Sequence, residues 1–220
     1  MQRISYFGNS WVGMFFKTTD TLTFVPKDLS EKNEEKIRSE LKTEVKKVFI
    51  CESNLLGLYL SLNSNGIILP NVSLEKEVSE FKSFGLNVLL SNEKHNAHGN
   101  NIAVNDFGGI INPNVDPLER KKLEDVLGVE LVPMSIANHS TVGSACLVTN
   151  TGFLSHYKSS EEELAQLKSI FKVSGSKGSV NMGAGFVPYG VVVNKNGYLA
   201  GESTSAFELG RVEEALDLIR

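Results

Sequence analysis

Two cysteines and four histidines are the side chains of this sequence that could carry out nucleophilic or metal chemistry. A cysteine nucleophile works as its thiolate, and a thiolate needs an electropositive, partly exposed setting. Cys51 and Cys146 both lie in apolar segments typical of strands, and no local sequence signals such a setting. Two cysteines are also too few for a disulfide framework, so the sequence predicts reduced, buried thiols.

His95 and His98 form an H-x-x-H pair in a polar segment. A zinc site needs three or four ligands in a fixed geometry, and no partner cluster accompanies this pair, so we expect solvated loop histidines. The sequence also contains neither a G-x-x-x-x-G-K-[ST] loop nor a strand-linked G-x-G-x-x-G. It therefore predicts no catalytic residue, no metal, no cofactor and no nucleotide site.

The elements that position these residues follow an internal repeat of turn signals. Clusters of Asn and Gly end at Gly66, Gly109, Gly152 and Gly197, which are 43, 43 and 45 residues apart. Asn and Gly tolerate the positive φ of tight hairpins, so each cluster predicts a β-turn between two strands. The segment Thr18–Thr21 lacks glycine and is the weakest copy of the turn.

Helix starts keep the same period. Three of the candidate caps are followed by a glutamate at the capping-box position, namely Glu119, Glu163 and Glu208. The mixed-charge segment from Ser30 to Lys47 predicts a first helix with a solvated face. The five candidate N-caps are Ser30, Ser73, Asp116, Ser160 and Ser205.

The unit is therefore strand, turn, strand, helix, strand, repeated about every 44 residues. The approximate boundaries are 6–50, 51–92, 93–136, 137–180 and 181–220. One helix per unit fits neither the all-helical nor the all-strand repeat families of this period. We predict one domain over 1–220, an α/β propeller of five blades. The fifth unit lacks a final strand, which Arg3–Phe7 would supply, leaving no unpaired sheet edge.

Composition limits the classes of partner. The formal net charge of −4 argues against a protein that binds nucleic acid over its whole surface. The N-terminus has no signal-peptide pattern, and no apolar stretch is long enough to span a membrane. We expect a cytoplasmic monomer that binds neither DNA nor membranes.

Short motifs on this repeat resemble one known family over essentially the whole chain. They are Asn105-Asp106, Val142-Gly143-Ser144, Thr149-Asn150-x-Gly152, Val180-Asn181-x-Gly183, Gly190-Val-Val-Val-Asn194, and Gly201-x-x-Thr204-Ser205 with Glu208-Leu209. No single motif is specific, but in this order and on this repeat they are together highly specific. The chain resembles the archaeal type of the translation initiation factor 6 family. This resemblance implies the pentein fold, a five-bladed α/β propeller of ββαβ units with pseudo-fivefold symmetry.

The resemblance also implies a function. Members of this family bind the intersubunit face of the large ribosomal subunit and sterically block premature joining of the small subunit, without catalysis. The implied partner is the large ribosomal subunit, through its proteins, with contact to adjacent rRNA left open. Eukaryotic members carry a regulatory tail beyond the fifth unit, and since this sequence ends at Arg220 we expect no tail-based regulation.

The alternative function is enzymatic, because the pentein fold also hosts guanidine-modifying enzymes. Those enzymes resemble one another in using a cysteine nucleophile, a histidine base and carboxylates that hold the guanidinium. Here the nucleophile would be Cys146 or Cys51, and the base would be His139 or His156.

Equivalent loops of a ring gather at one end of its axis. The segments that lead into the first strand of each unit are rich in Asn, Ser and Gly. We predict that this end forms part of the ribosome contact. The alternative is that these side chains only satisfy local backbone groups. The candidate contact residues are Asn9, Ser10, Asn54, Asn100, Asn101, His139, Ser140 and Asn181.

Overall fold

The computed structural model describes residues 3–218, which form five three-stranded sheets. In each sheet an antiparallel hairpin is joined by a third strand that runs parallel to the second strand of the hairpin. In the first four units a long helix connects the second and third strands, since a parallel connection needs a crossover. The predicted ring of five ββαβ units is confirmed.

The strands occupy equivalent places in the five units. The third strand of the fifth unit is β1 (Arg3–Ile4). The first hairpin strands are β2 (Lys17–Thr18), β5 (Ser61–Leu62), β8 (Ile102–Val104), β11 (Cys146–Val148) and β14 (Val191–Asn194). The second hairpin strands are β3 (Leu22–Pro26), β6 (Gly66–Pro70), β9 (Gly109–Ile111), β12 (Phe153–His156) and β15 (Gly197–Gly201). The other third strands are β4 (Glu44–Val48), β7 (Asn87–Ser91), β10 (Leu131–Pro133) and β13 (Gly175–Gly178).

The ring closes through the start of the chain. Strand β1 pairs in parallel with β15, with Arg3 opposite Ala200 and Ile4 opposite Gly201. Of the predicted closing segment Arg3–Phe7, Arg3 and Ile4 form this strand, whereas Tyr6 pairs with Asn9 in a turn. The parts of the predicted domain at positions 1, 2, 219 and 220 lie outside the described residues.

Each long helix packs between its own sheet and the sheet of the preceding unit. Ile37 and Leu41, for example, pack against Val25 and Val45 of their own unit and against Leu199 of the fifth unit. Burying one such side chain stabilises the fold by roughly 1.5–3 kcal/mol. The long helices are α1 (Glu31–Leu41), α3 (Glu75–Lys82), α5 (Pro117–Leu127), α7 (Glu161–Phe171) and α9 (Ala206–Ala215).

Five short helical segments meet at one end of the axis. They are the 3-10 turn Val12–Met14 and helices α2 (Leu56–Tyr59), α4 (His98–Asn101), α6 (Val142–Ala145) and α8 (Val187–Gly190). A Cβ on Gly57 would overlap the carbonyl oxygen of Gly13, and a Cβ on Gly143 would overlap that of Gly99. Glycine permits this approach at the first four of the five ring positions. The ring positions are Gly13, Gly57, Gly99, Gly143 and Pro188.

The predicted first helix from Ser30 to Lys47 was too long. The helix ends at Leu41, Lys42 adopts a left-handed conformation with φ of 52°, and the next residues form β4. Local helix propensity in this charged run is overridden because pairing with β3 buries Val45 and Val48.

Two predicted caps need correction. Ser73 does not cap α3, because its hydroxyl donates to Pro70 O at 2.7 Å and the helix begins at Glu75. Asp116 does cap α5, but Glu119 completes no capping box there because its carboxylate accepts from Ser91 and Asn92. The predicted boxes at Ser160 and Ser205 are confirmed.

The hairpin glycines were predicted for the wrong reason. None of Gly66, Gly109, Gly152 and Gly197 has a positive φ. Glycine is needed because a helix carbonyl of the following unit lies where a Cβ would be. In the third unit the glycine that faces this carbonyl is Gly108 rather than Gly109. The carbonyl groups are those of Val126 at Gly66, Ile170 at Gly108, Ala215 at Gly152 and Glu40 at Gly197.

Candidate functional site

Four units begin with a tight turn, and we call these the tip turns. Their bridging pairs are Tyr6–Asn9, Ile50–Ser53, Ile136–His139 and Val180–Ala184. The second and third strands of a unit run parallel, so the long helices start at the same end of the ring as the tip turns. We call this end the tip face, and the opposite end, which carries the hairpin turns, the hairpin face.

The tip turns hold non-glycine residues in the left-handed region. Each such residue costs about 1–2 kcal/mol of backbone strain. Cys51 is one of them, so the prediction that it lies in a strand was wrong. The seven residues are Phe7 (φ 49°), Cys51 (53°), Glu52 (55°), Ala137 (48°), Asn138 (66°), Asn181 (47°) and Met182 (64°).

Glutamates at the starts of the long helices hold these turns. Glu77 accepts hydrogen bonds from the backbone N–H groups of Cys51 and Glu52, both at 2.9 Å. Glu208 accepts from the backbone N–H groups of Met182 at 3.2 Å and Gly183 at 2.8 Å. Such charge-assisted bonds are about twice as strong as neutral ones, and they offset the strain.

Hydrogen bonds set the ionisation of Glu208 and of Glu119, whose carboxylate accepts from the loop of the third unit. Burial acts to raise the pKa of Glu208, but hydrogen bonds from Ser205, Gly183 and Ser179 outweigh it and lower the pKa. Burial also acts to raise the pKa of Glu119. Hydrogen bonds from Lys122, Ser91 and Asn92 outweigh this effect and lower the pKa. Both groups therefore stay charged, so the clamp works at neutral pH.

Four of the predicted contact residues lie on the tip face but are largely engaged within the ring. Asn9 Oδ1 accepts from Trp11 N at 2.8 Å. Asn181 Nδ2 donates to Ser10 O at 2.9 Å, which ties the fifth unit to the first. Asn54 Nδ2 donates to Tyr6 Oη at 3.0 Å. All four are half-buried, so their structural role is plain and their contact role stays a prediction.

Asn100 and Asn101 do not occupy positions equivalent to Asn9 and Asn54. Both lie in α4, because the third unit has a longer loop in place of a tight tip turn, and this shifts the sequence register. Asn101 is buried and donates to His95 O and Ala97 O. Asn100 Oδ1 accepts from Tyr189 Oη at 2.8 Å, a bond between the third and fifth units.

His139 lies in an aromatic cluster on the tip face, and Ser140 follows it. The His139 ring is 5.2 Å from that of His156 and 5.1 Å from that of Phe186. Tyr157 stacks on His156 at 4.6 Å between ring centroids. Phe186 and Tyr157 were missed from the sequence, although their positions beside turns were a usable signal.

Exposed large hydrophobic side chains are concentrated on the tip face. Phe7 is 81% exposed and Met182 is 82% exposed, both at the ends of tip turns. Of ten exposed large hydrophobic residues among positions 3–218, only Leu90 and Phe107 lie elsewhere. The eight on the tip face are Phe7, Val72, Leu74, Leu118, Tyr157, Met182, Phe186 and Phe207.

Comparison with known proteins identifies the family. The model of the eIF-6 family matches residues 1–215. This chain belongs to the eIF-6 family. It is 38% identical over 213 residues to a protein named translation initiation factor 6 from Pyrobaculum aerophilum, with 97% of each chain covered. It is 37% identical over 216 residues to the protein of that name from Picrophilus torridus, covering 98% of this chain and 99% of the relative.

A third relative of that name, from Saccharolobus islandicus, is 37% identical over 219 residues, with 98% of each chain covered. These archaeal relatives support a role in translation initiation for this eIF-6 family member. They give no indication of an enzymatic activity.

The cysteines of this eIF-6 family member do not have the character of nucleophiles. Burial raises the pKa of the Cys146 thiol, although a hydrogen bond with Ser155 acts to lower it. Burial also raises the pKa of the Cys51 thiol, against the effect of its contact with Ser73. A nucleophilic thiol needs the opposite shift, so this geometry does not favour the guanidine-modifying alternative.

Residues 3–218 contain neither a cluster of metal-ligating side chains nor a membrane-spanning helix. No group of three or more His, Cys, Asp or Glu side chains could hold a metal ion. No helix in this range combines the length and the apolar character required to cross a bilayer.

Proposed function

We propose that this eIF-6 family protein binds the large ribosomal subunit through its tip face and sterically prevents premature joining of the small subunit. The observation that carries the proposal is the concentration of exposed apolar side chains on that face, since such patches mark interaction sites. The names of the archaeal relatives support the connection with translation initiation.

A steric block needs a rigid surface rather than a reaction centre. Clamped tip turns lose little conformational freedom on binding, and this lowers the entropic cost of association. A standard interface buries about 800 Å² on each partner. The described residues expose 9534 Å², so such an interface takes up roughly a tenth of the surface.

Charge favours a protein contact over an rRNA contact. The chain carries a formal net charge of −4, which opposes broad binding to phosphates and complements basic ribosomal proteins. We propose that the protein acts as a cytoplasmic monomer, with ribosomal protein as its main partner on the large subunit.

An order-of-addition experiment tests this function. The purified protein is sedimented with isolated large subunits and, separately, with small subunits, and joining is followed by light scattering. We expect binding to the large subunit alone. We also expect strong inhibition when the protein is added before the small subunit, and much weaker inhibition when it is added after joining. Equal inhibition in both orders, or binding to neither subunit, would contradict the proposal.

A further inference from the structure

A cavity of about 70 Å³ lies on the axis of the ring, beneath the ring of short helices. The first hairpin strands form its wall. One position recurs at intervals of 42 to 45 residues in these strands, and it is occupied by Lys17, Ser61, Ala103, Leu147 and Val192. The first unit is thus the one that places a charged residue at this position.

A ring of side chains lies between this cavity and a smaller space of about 40 Å³ on the hairpin face. Five equivalent side chains line both spaces, namely Thr18, Leu62, Val104, Val148 and Val193. Beyond them Asn150 Nδ2 donates to Asp20 at 3.0 Å and to Asp106 at 2.7 Å. On the hairpin side the cavity is therefore bordered by Thr18 and four apolar side chains, with a hydrogen-bonded bridge beyond them.

Lys17 has no hydrogen bond or ion pair with any residue in 3–218. Lys17 is partly accessible, and it is one of the residues that line the cavity. No carboxylate belongs to the described wall, and burial raises the pKa of its other titratable side chains, Cys146 and Tyr189, so both stay neutral. Burial lowers the pKa of the Lys17 amine to about 8, which still leaves it mostly protonated at pH 7.

Ser61 supplies a second unpaired polar group on the same wall. It is 1% exposed, and its hydroxyl has no hydrogen-bond partner among the described residues. A buried hydroxyl without a partner is costly, and an uncompensated buried charge costs more. One positive charge and one free donor share this wall, and a small acceptor with a single negative charge would satisfy both.

We infer that the axial cavity binds one small monovalent anion of the halide class, held by the Lys17 ammonium and the Ser61 hydroxyl. A water needs about 10–15 Å³ of such space, so the cavity has room for a halide with accompanying water. A dianion would leave a negative charge unpaired. This site is independent of the proposed ribosome binding, since it lies inside the ring.

The test replaces gluconate with chloride, and separately with bromide, at constant ionic strength and pH 7, and follows the melting temperature of the full chain. We expect a saturable rise, because a ligand of the native state stabilises it by mass action. The Lys17→Met variant should show no saturable rise, and it should fold because other units have apolar residues at this position. The Ser61→Ala variant should weaken halide binding about tenfold.

Lys195→Met is the matched control, since this exposed amine contacts Asp20 on the hairpin face and should leave the halide response unchanged. Anomalous diffraction from crystals grown in bromide should show one peak beside the Lys17 amine. Either of two results would overturn the inference: the absence of this peak, or a Lys17→Met variant that responds to halide as the wild type does. Each would mean that water alone solvates the Lys17 amine.

Discussion

The two faces of the ring use their polar side chains differently. On the hairpin face, Asn105 Nδ2 reaches into the next unit and donates to Thr149 O and Phe171 O, both at 3.0 Å. On the tip face, Glu77 and Glu208 clamp turns of their own unit. The hairpin face therefore joins each unit to the long helix of the next, whereas the tip face adds clamps within a unit to its bonds between units.

The bonds on the hairpin face recur around the ring. Asn63 donates to Leu127 O at 2.8 Å and Asn194 donates to Leu41 O at 2.9 Å. In the fourth unit the Thr151 hydroxyl donates to Leu216 O at 2.8 Å. Each bond satisfies a carbonyl near the end of the next long helix that has no partner within the helix. These helix-end contacts lie on the hairpin face, so none of them occupies the tip face.

The largest expected effect is at a hairpin glycine. In Gly152→Val the new side chain would overlap Ala215 O, a backbone atom that cannot move aside. We expect a loss of about 3 kcal/mol of unfolding free energy, measured by urea denaturation. Gly210→Ala is the control, because a Cβ there meets nothing within 4 Å. It should stabilise α9 by about 0.5–1 kcal/mol, and a loss as large as that of Gly152→Val would refute the assignment.

The Asn105→Ala substitution removes both bonds to the fourth unit and leaves two carbonyl groups with fewer partners. We expect a loss of about 2–3 kcal/mol in urea denaturation. Asn87→Ala changes an exposed asparagine on β7, and it should stay within about 0.5 kcal/mol of the wild type. Equal losses in both variants would mean that Asn105 does not hold the units together.

Mild acid should act through the tip half of the molecule. His98 is 1% exposed, at a place occupied by Val12, Leu56, Val142 and Val187 in the other units. Burial lowers its pKa to about 4, against the effect of Glu93 and Glu119. In the unfolded chain this histidine has its ordinary pKa of about 6.5. Between pH 6.5 and pH 4 the unfolded chain therefore binds more protons than the folded chain. Unfolding free energy should fall by on the order of 3 kcal/mol between pH 6.5 and pH 4.

The His98→Leu variant separates this effect from that of the clamps. This variant should lose most of the decline in unfolding free energy above pH 4.5. A smaller slope should remain because burial also lowers the pKa of His156. The lowered pKa values of Glu119 and Glu208 stabilise the fold above the ordinary carboxyl range, so their contribution is lost only as the pH falls below it. An unchanged profile in His98→Leu would contradict the assignment.

The smallest effect concerns tip-turn strain. Ala137 has a φ of 48°, so Ala137→Gly should relieve backbone strain. We expect the free energy of unfolding to increase by up to about 1 kcal/mol, and the melting temperature to rise accordingly. Ala165→Gly, in the middle of α7, should instead lose about 0.5–1 kcal/mol. The same substitution is thus expected to have opposite signs at the two places, and equal signs in thermal melts would rule out the strain.

The sequence predicted the repeat because hairpin turns and helix caps depend on local residue types. It could not predict the register of the third unit, since the loop before His98 has no distinctive pattern. Exposure of Phe7 and Met182 follows from turns in which non-glycine residues adopt positive φ, which local propensity disfavours. Lys17 lies between Phe16 and Thr18 like an ordinary residue of a strand, so its place on the axial cavity follows only from ring closure.

The most direct test of the account is the affinity of two matched variants for the large ribosomal subunit. The double variant Phe7→Asn with Met182→Asn removes two exposed tip side chains, and Asn tolerates the positive φ of both positions. Phe107→Asn removes a 45% exposed phenylalanine from the hairpin face. We predict at least about a tenfold loss of affinity for the first and less than about a twofold change for the second. Wild-type binding by the tip variant, or lost binding by Phe107→Asn, would contradict the account.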